Sequence, residues 1–280
     1  MTTTVHLAAS GLEITVGSAT DIGLKREHNE DSLLVLPAVY VIADGMGGYE
    51  AGDQASRAVV DAFEQVAAGR ESLTVADITT ALELADDGVA EVAARTSRGA
   101  GSTVAGAALV IEDGAPHWIV FNVGDSRVYR HAGTALEQIT VDHSLGQELY
   151  QVGRITAEEL AVFRERNVIT RAIGAADAAA DSWAMPVRNG ERLLLCSDGL
   201  TGELSDETIR EVLSRDETPG AAALELVELA RRAGGRDNIS VIVVDVVAGG
   251  RDFDVEEVTE GAVAEYTDES TAPIGVVGAV

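Results

Sequence analysis

Five stretches of this chain place carboxylates at the ends of apolar runs. Asp44 closes Val39-Tyr40-Val41-Ile42-Ala43 and is followed by Gly45, Gly47 and Gly48. Asp198 closes Leu193-Leu194-Leu195-Cys196-Ser197, again just before a glycine. Asp237 precedes Asn238-Ile239-Ser240-Val241-Ile242, Asp125 lies between two apolar runs, and Glu30 and Asp31 precede Leu33-Leu34-Val35-Leu36. One Asp-Gly pair is an ordinary turn. Five acidic strand ends suggest a shared site, because carboxylates gathered without cations repel one another and hold their protons. All the donors are oxygens, which suits Mg²⁺ or Mn²⁺ better than zinc. Arg26, just upstream of the acidic pair, is either a solvated arginine or a fork for a phosphate, since guanidinium presents paired donors to anionic oxygens.

The elements that must carry these residues follow from periodicity. Strands are expected at 12–18, 33–36 and 39–43, the last two as a hairpin around Pro37. Residues 1–10 read as a loose lead-in and 20–29 as a loop. Apolar residues at helical spacing predict helices over 50–68 and 75–95. A Gly/Ser/Arg loop at 97–102 leads to strands at 103–111, 118–123, 127–130 and 136–140, joined by short turns that require antiparallel pairing. Residues 141–174 break the pattern with a short helix at 145–152 and a second helix start at Thr156, and they read as a flap or a surface excursion. His117 and His131 are expected at the surface. Strands return at 182–187 and 192–197, helices at 206–214 and 218–234, and a last strand at 241–247. Helices segregated from antiparallel strands indicate an α+β fold. Two sheets packed together, with a helical pair outside each, would account for every element.

Composition narrows the function. The net charge is −27, from 47 acids against 20 bases in 280 residues. That argues against nucleic acid and anionic membrane surfaces as partners. No run approaches the length of a membrane span, and Met1 to Ser10 lacks a basic stretch followed by a long apolar one, so a secretory leader is not expected there. Cys196 is the only cysteine, so no intramolecular disulfide can form. A cytoplasmic monomer is the expectation. Residues 1–248 are assigned to one domain. Residues 249–280 are assigned to an acidic tail expected to be disordered, with eight acids and one base beyond residue 250.

Taken together, these clusters resemble a known family. The matching stretches are 26–31, Ala43-Asp44-Gly45-Met46-Gly47-Gly48, Gly101-Ser102-Thr103, Val123-Gly124-Asp125-Ser126-Arg127, Asp142-His143-Ser144, 167–171, Ser197-Asp198-Gly199-Leu200 and Asp237-Asn238-Ile239-Ser240. In this order they resemble the metal-dependent protein phosphatases of the PPM or PP2C type, of bacterial kind. The resemblance implies a four-layer α-β-β-α sandwich with a metal centre at one edge between the sheets. It implies that Asp44 bridges two metals, that the Gly45 carbonyl serves one, and that Asp198 and Asp237 complete the other. Asp125 with Asp198 would hold a third, Glu30 and Asp31 would orient water, and Arg26 would bind the substrate phosphate. The catalytic set it implies is therefore Arg26, Asp44 and Asp198, with two or three Mn²⁺ or Mg²⁺ ions per chain.

The implied reaction is hydrolysis of phosphoserine and phosphothreonine in proteins by an activated water, opposing a bacterial Ser/Thr kinase, with that kinase and its substrates as partners. Two readings compete with it: a regulatory phosphatase for one dedicated phosphoprotein, and a silent module that only recognises phosphoproteins. The chain also departs from the pattern. Met46 stands where some members carry a histidine proposed as the general acid, and Tyr49 where bacterial members often have a histidine; the loss of a positioned acid is worth about 10²–10⁴-fold in rate. The leaving-group proton would then come from water at the metals, from Tyr49 or from a flap residue such as His143. The flap carries Val162-Phe163-Arg164-Glu165 where His-Pro is common.

Overall fold

The computed structural model describes residues 2–7, 11–47 and 51–253. The expected acidic tail beyond residue 253, together with Gly48 and Tyr49, lies outside the described residues. In chain order the strands are β1 (Thr2–Leu7), β2 (Leu12–Asp21), β3 (Asp31–Leu36), β4 (Val39–Gly47), β5 (Ala100–Ser102), β6 (Val104–Glu112), β7 (Ala115–Val123), β8 (Arg127–Ala132), β9 (Ala135–Gln138), β10 (Asp181–Pro186), β11 (Arg192–Cys196) and β12 (Ile239–Ala248). The helices are α1 (Ala51–Ala67), α2 (Val75–Ala94), α3 (Leu145–Gln151), α4 (Ala157–Val162), α5 (Asp198–Thr201), α6 (Asp206–Leu213) and α7 (Pro219–Ala233). One antiparallel sheet runs β1-β2-β12-β11-β8-β9; the other runs β10-β7-β6-β4-β3, with β5 added to the end of β4.

The central strands are apolar on both faces because each face has its own core. Along β4, Val39, Val41 and Ala43 pack under α1 and α2, while Tyr40 and Ile42 point into the space between the sheets. On the opposite sheet Leu193 and Leu195 of β11 meet them, and Leu194 and Cys196 turn outward beneath α6 and α7. The layers are therefore helix, sheet, sheet, helix. Full burial of each such aliphatic side chain contributes about 1.5–3 kcal/mol. Tyr40 and Trp118 meet between the sheets at 6.1 Å, and Phe63 of α1 stacks on Phe121 of β7 at 5.0 Å.

Helix starts are set by side-chain caps. Thr74 and Asp77 form a reciprocal capping box on α2, and Thr156 and Glu159 form another on α4. Thr218 caps α7, with Pro219 at its first position.

The expected elements form with four corrections. Residues 2–7 are not a lead-in: Thr2–Leu7 pairs in full register with Leu12–Gly17, and Leu7 buries its side chain. β2 continues to Asp21, because Ile239 and Ser240 of β12 pair with Asp21 and Thr20. The Gly/Ser loop at 97–102 ends in the short strand β5, which pairs with Gly45, Met46 and Gly47. His131 is buried, with its Nε2 3.0 Å from the Ser214 hydroxyl. The flap span contains α3 and α4, and its base is anchored to β5 by Ile173 N to Ser102 O at 2.8 Å.

Candidate metal centre

The acids converge at one edge of the seam between the sheets. Asp31 and Asp44 face each other across the β3-β4 hairpin, at the ends opposite its tight turn. Asp198 begins the single helical turn α5 where β11 ends, and Asp237 stands two residues before β12. Asp125 occupies the crossing from β7 in one sheet to β8 in the other. Gly124 makes that crossing at φ +103°, where a Cβ would lie 2.6 Å from the Thr103 methyl. A side chain there would meet both backbone strain and a wall. Gly45 is needed for a different reason: a Cβ on it would lie 1.9 Å from the Gly52 carbonyl, so α1 could not approach the strand end.

A polar lattice holds the carriers in place. Thr103 Oγ1 accepts from Asp44 N at 3.0 Å, and Thr103 N donates to Asp44 O at 2.9 Å. Ser197 Oγ donates to Asp31 Oδ2 at 2.8 Å and accepts from Ser240 N at 3.0 Å. Asn238 is buried and fully used: its Oδ1 accepts from Glu30 N at 2.8 Å, and its Nδ2 donates to the Ile22 and His28 carbonyls at 3.0 Å each. Sequence reasoning gave Asn238, Ser197 and Thr103 no role. Their only signal was membership in the quoted motifs, where each directly adjoins an acid or a strand end.

Mutual repulsion marks the acids electrostatically. Burial, then the charges of Asp31, Asp198, Asp125 and Asp237, hold the Asp44 carboxyl well above the usual carboxylate range. Burial, only partly offset by the Ser240 and Ser197 hydroxyls, pushes Asp31 up to about 7. Burial and Asp198 push Asp125 up to about 8. Asp198 is raised by burial and Asp237, with partial relief from a hydrogen bond to Asp44. Glu30 is also raised, by burial despite Arg26.

Three oxygens in this group, Asp31 Oδ1, Asp125 Oδ1 and Asp198 Oδ1, are buried without a hydrogen-bond partner. Orphaned anionic oxygens at an edge of the core are costly unless a cation answers them. The donor set therefore fits hard divalent ions. Among the described residues no three Asp, Glu, His or Cys side chains already close into a cation cage. One reason is visible: Asp237 Oδ2 is held by Arg26 Nη2 at 2.7 Å. A cation here would draw in an open set of carboxylates and fill its shell with backbone carbonyl and water, as Mg²⁺ does.

Arg26 stands beside this acidic group. Its Nη1 is 3.5 Å from Glu30 Oε2, and its side chain is 45% exposed. Desolvation works against its charge, but the neighbouring acids outweigh it and raise its pKa. His143, the flap candidate for proton donation, is tied into a buried network. The ring is buried, its Nδ1 accepts from Gly124 N at 3.1 Å, and its Nε2 lies 3.2 Å from Asp181 Oδ2 and 3.3 Å from Arg171 Nη1. Arg171 completes this knot with a 3.1 Å bond to Asp181 Oδ1. His143 thus braces the Asp125 loop against the flap base. The Tyr49 alternative lies outside the described residues. A second cleft, lined by Asp125, Asp198, Arg127, Asp142, Arg166 and Asn167 among others, runs beneath the flap.

The chain is similar to known proteins. A protein-family model described as protein phosphatase 2C matches residues 25–228. The serine/threonine protein phosphatase PstP of Mycobacterium tuberculosis is 34% identical over 97% of this chain and 52% of its own length. The chain thus spans about half the length of that relative. The serine/threonine phosphatase stp of Listeria monocytogenes is 34% identical over 83% of this chain and 97% of its own. The solved catalytic domain of a serine/threonine protein phosphatase PstP, in complex with two manganese ions, is 34% identical. It superposes with a TM-score of 0.76 over 85% of this chain and 100% of that one. Among the described residues no helix is long and apolar enough to cross a membrane.

Proposed function

This chain belongs to the protein phosphatase 2C family, and on that premise we propose that it hydrolyses phosphoserine and phosphothreonine in proteins with the help of bound Mn²⁺ or Mg²⁺. The observation that carries the reading is the gathering of Asp31, Asp44, Asp125 and Asp198, with unpartnered oxygens on three of them, beside an exposed arginine. Asp44, the Gly45 carbonyl, Asp198 and Asp237 would hold two cations, and Asp125 with Asp198 a third. Bound there, the cations supply an acidified water as nucleophile and positive charge against the phosphoryl oxygens.

The chain's own residues do the rest. Glu30 and Asp31 accept hydrogen bonds from water and fix its direction. Arg26 exchanges its carboxylate partners for the substrate phosphate and stabilises charge on the equatorial oxygens. Thr103, Ser197 and Asn238 hold the carboxylates still, so that little reorganisation accompanies reaction. With Met46 in place of a histidine and His143 tied to Asp181, the leaving alkoxide takes its proton from water or from Tyr49.

The phosphatase unit is assigned to residues 1–248, with 141–174 as its flap. Its substrates would be proteins phosphorylated by a Ser/Thr kinase; the names of its relatives print a serine/threonine phosphatase. The intact acid set and Arg26 favour this reading over a silent binding module. The test is hydrolysis of p-nitrophenyl phosphate and phosphothreonine peptides with Mn²⁺, with and without chelator. Asp198→Asn should remove turnover while the variant still folds and unfolds in one cooperative thermal transition. Full activity in that variant would overturn the assignment.

A further inference from the structure

The surface around Arg26 runs against the charge of the whole protein. A pocket of about 640 Å³ opens beside it, lined by Lys25, Arg26, His28, Arg57 and Arg98, with Glu27, Glu30 and Asp53 as its acids. Arg26 is spoken for by Asp237 and Glu30, and Arg57 by Asp53 at 2.9 Å. Among the described residues, Lys25 and Arg98 make no ion pair with any acid, and Glu27 is the one lining acid left without a base. Both cations are exposed. Lys25 is also the only lysine in the chain. On a protein of net charge −27, an anionic substrate meets repulsion over most of the surface, and a local reversal of sign steers its approach.

We propose that this pocket is a subsite for a second anionic group on the substrate, a phosphate or carboxylate near the phosphoresidue being hydrolysed. Arg26 forms the wall shared by the pocket and the acid cluster, so a chain whose phosphate lies on Arg26 must lead its neighbouring residues past Lys25 or Arg98. An extended peptide advances about 3.3–3.6 Å per residue, so a charge within a few residues of the reacting phosphate comes within reach of these long side chains. The preferred substrates are therefore doubly phosphorylated or acid-flanked segments. This subsite rests on the phosphatase reading above.

The test compares three phosphothreonine peptides of one sequence in Mn²⁺, carrying a second phosphothreonine, a glutamate pair or an alanine pair two to four residues away. Wild-type enzyme should prefer the two anionic peptides over alanine by about five- to tenfold in kcat/KM, the scale of two exposed charge pairs. The preference should appear in KM and shrink with salt. Lys25→Ala with Arg98→Ala should erase it while hydrolysis of p-nitrophenyl phosphate is unchanged. A preference for the second phosphate alone would identify phosphate rather than carboxylate as the ligand. Equal use of all three peptides by the wild type, or a preference that survives the double substitution, overturns the subsite and leaves the phosphatase reading standing. No hydrolysis of any substrate by the wild type overturns both.

Discussion

Asp31→Asn should stabilise the metal-free protein, although it removes a buried native group. The substitution is nearly isosteric, and the asparagine carbonyl can still accept the Ser197 hydroxyl, which now lies 2.8 Å from Asp31 Oδ2. Its amide takes the place of an oxygen that has no partner. The folded protein holds the Asp31 proton to about 7, against an ordinary 3.8. The sign follows from linkage: the folded state binds the proton more tightly than the unfolded state, so stability falls as pH rises between these two values. Once Asp31 is ionised the cost is on the order of 4 kcal/mol, and about half of that if its neighbours reclaim part of the strain. For a domain of this size that is roughly 5–15 °C in Tm. In chelator the gap should be smallest below about pH 3.8, widen as pH rises from there to about 7 and be largest above pH 7, with the variant higher. His131, whose pKa is lowered by burial, titrates in the opposite sense but identically in both proteins and cancels, so the difference reports Asp31 together with the neighbours it repels, Asp44 first among them. Excess Mn²⁺ should close the gap. A chelated variant melting at or below wild type at pH 8 would refute the electrostatic reasoning.

Adding Mn²⁺ to chelated wild type should raise Tm, by the equivalent of about 2.7 kcal/mol at a hundredfold excess over Kd. Titration calorimetry near pH 7 in buffers of different ionisation heat should show proton release, because Asp125 and Asp44 must give up protons to bind a cation. Asn238→Ala would strand Glu30 N and the Ile22 and His28 carbonyls. It should lower stability by about 1–3 kcal/mol in urea melts, and reduce kcat as the Glu30 and Asp237 loops lose their clamp.

Strand and helix existence was legible because the central strands are long apolar runs and the helices carry capped, periodic faces. The acids were legible because each interrupts an apolar run at its end. Other features were hidden because they depend on contacts between segments far apart in sequence. Gly17 looks like an indifferent strand residue until a Cβ on it is seen to fall 2.1 Å from the Gly220 backbone at the start of α7. Nothing local distinguishes Thr2–Leu7 as a strand; its partner β2 does, at an edge where polar residues suffice. His143 read as a possible acid because its motif adjoins the flap, whereas its ring nitrogens are claimed by Gly124 and by Asp181, 38 positions downstream. Asn238 was overshadowed by the acid beside it.

The position of the acids across the seam gives the site its character. Asp31 and Asp44 belong to one sheet, Asp198 and Asp237 to the other, and Asp125 to the crossing between them. Their repulsion acts to open the sandwich at this edge, and few groups oppose it directly: the Asp44 to Asp198 and Ser197 to Asp31 bonds, the Asn238 clamp and the ion pair from Arg26 to Asp237. Arg26 is the weakest of these, since it is exposed and an ion pair in solvent contributes little. With Nη2 on Asp237 and Nη1 toward Glu30 its fork is closed to a phosphate. Any positive charge that answers Asp237 makes Arg26 redundant there and opens the fork. By reciprocity, an anion that draws Arg26 away leaves Asp237 more attractive to a cation. The two ligands of opposite charge should then bind cooperatively, so phosphate affinity measured without divalent ions should be weaker than with them even when no turnover occurs.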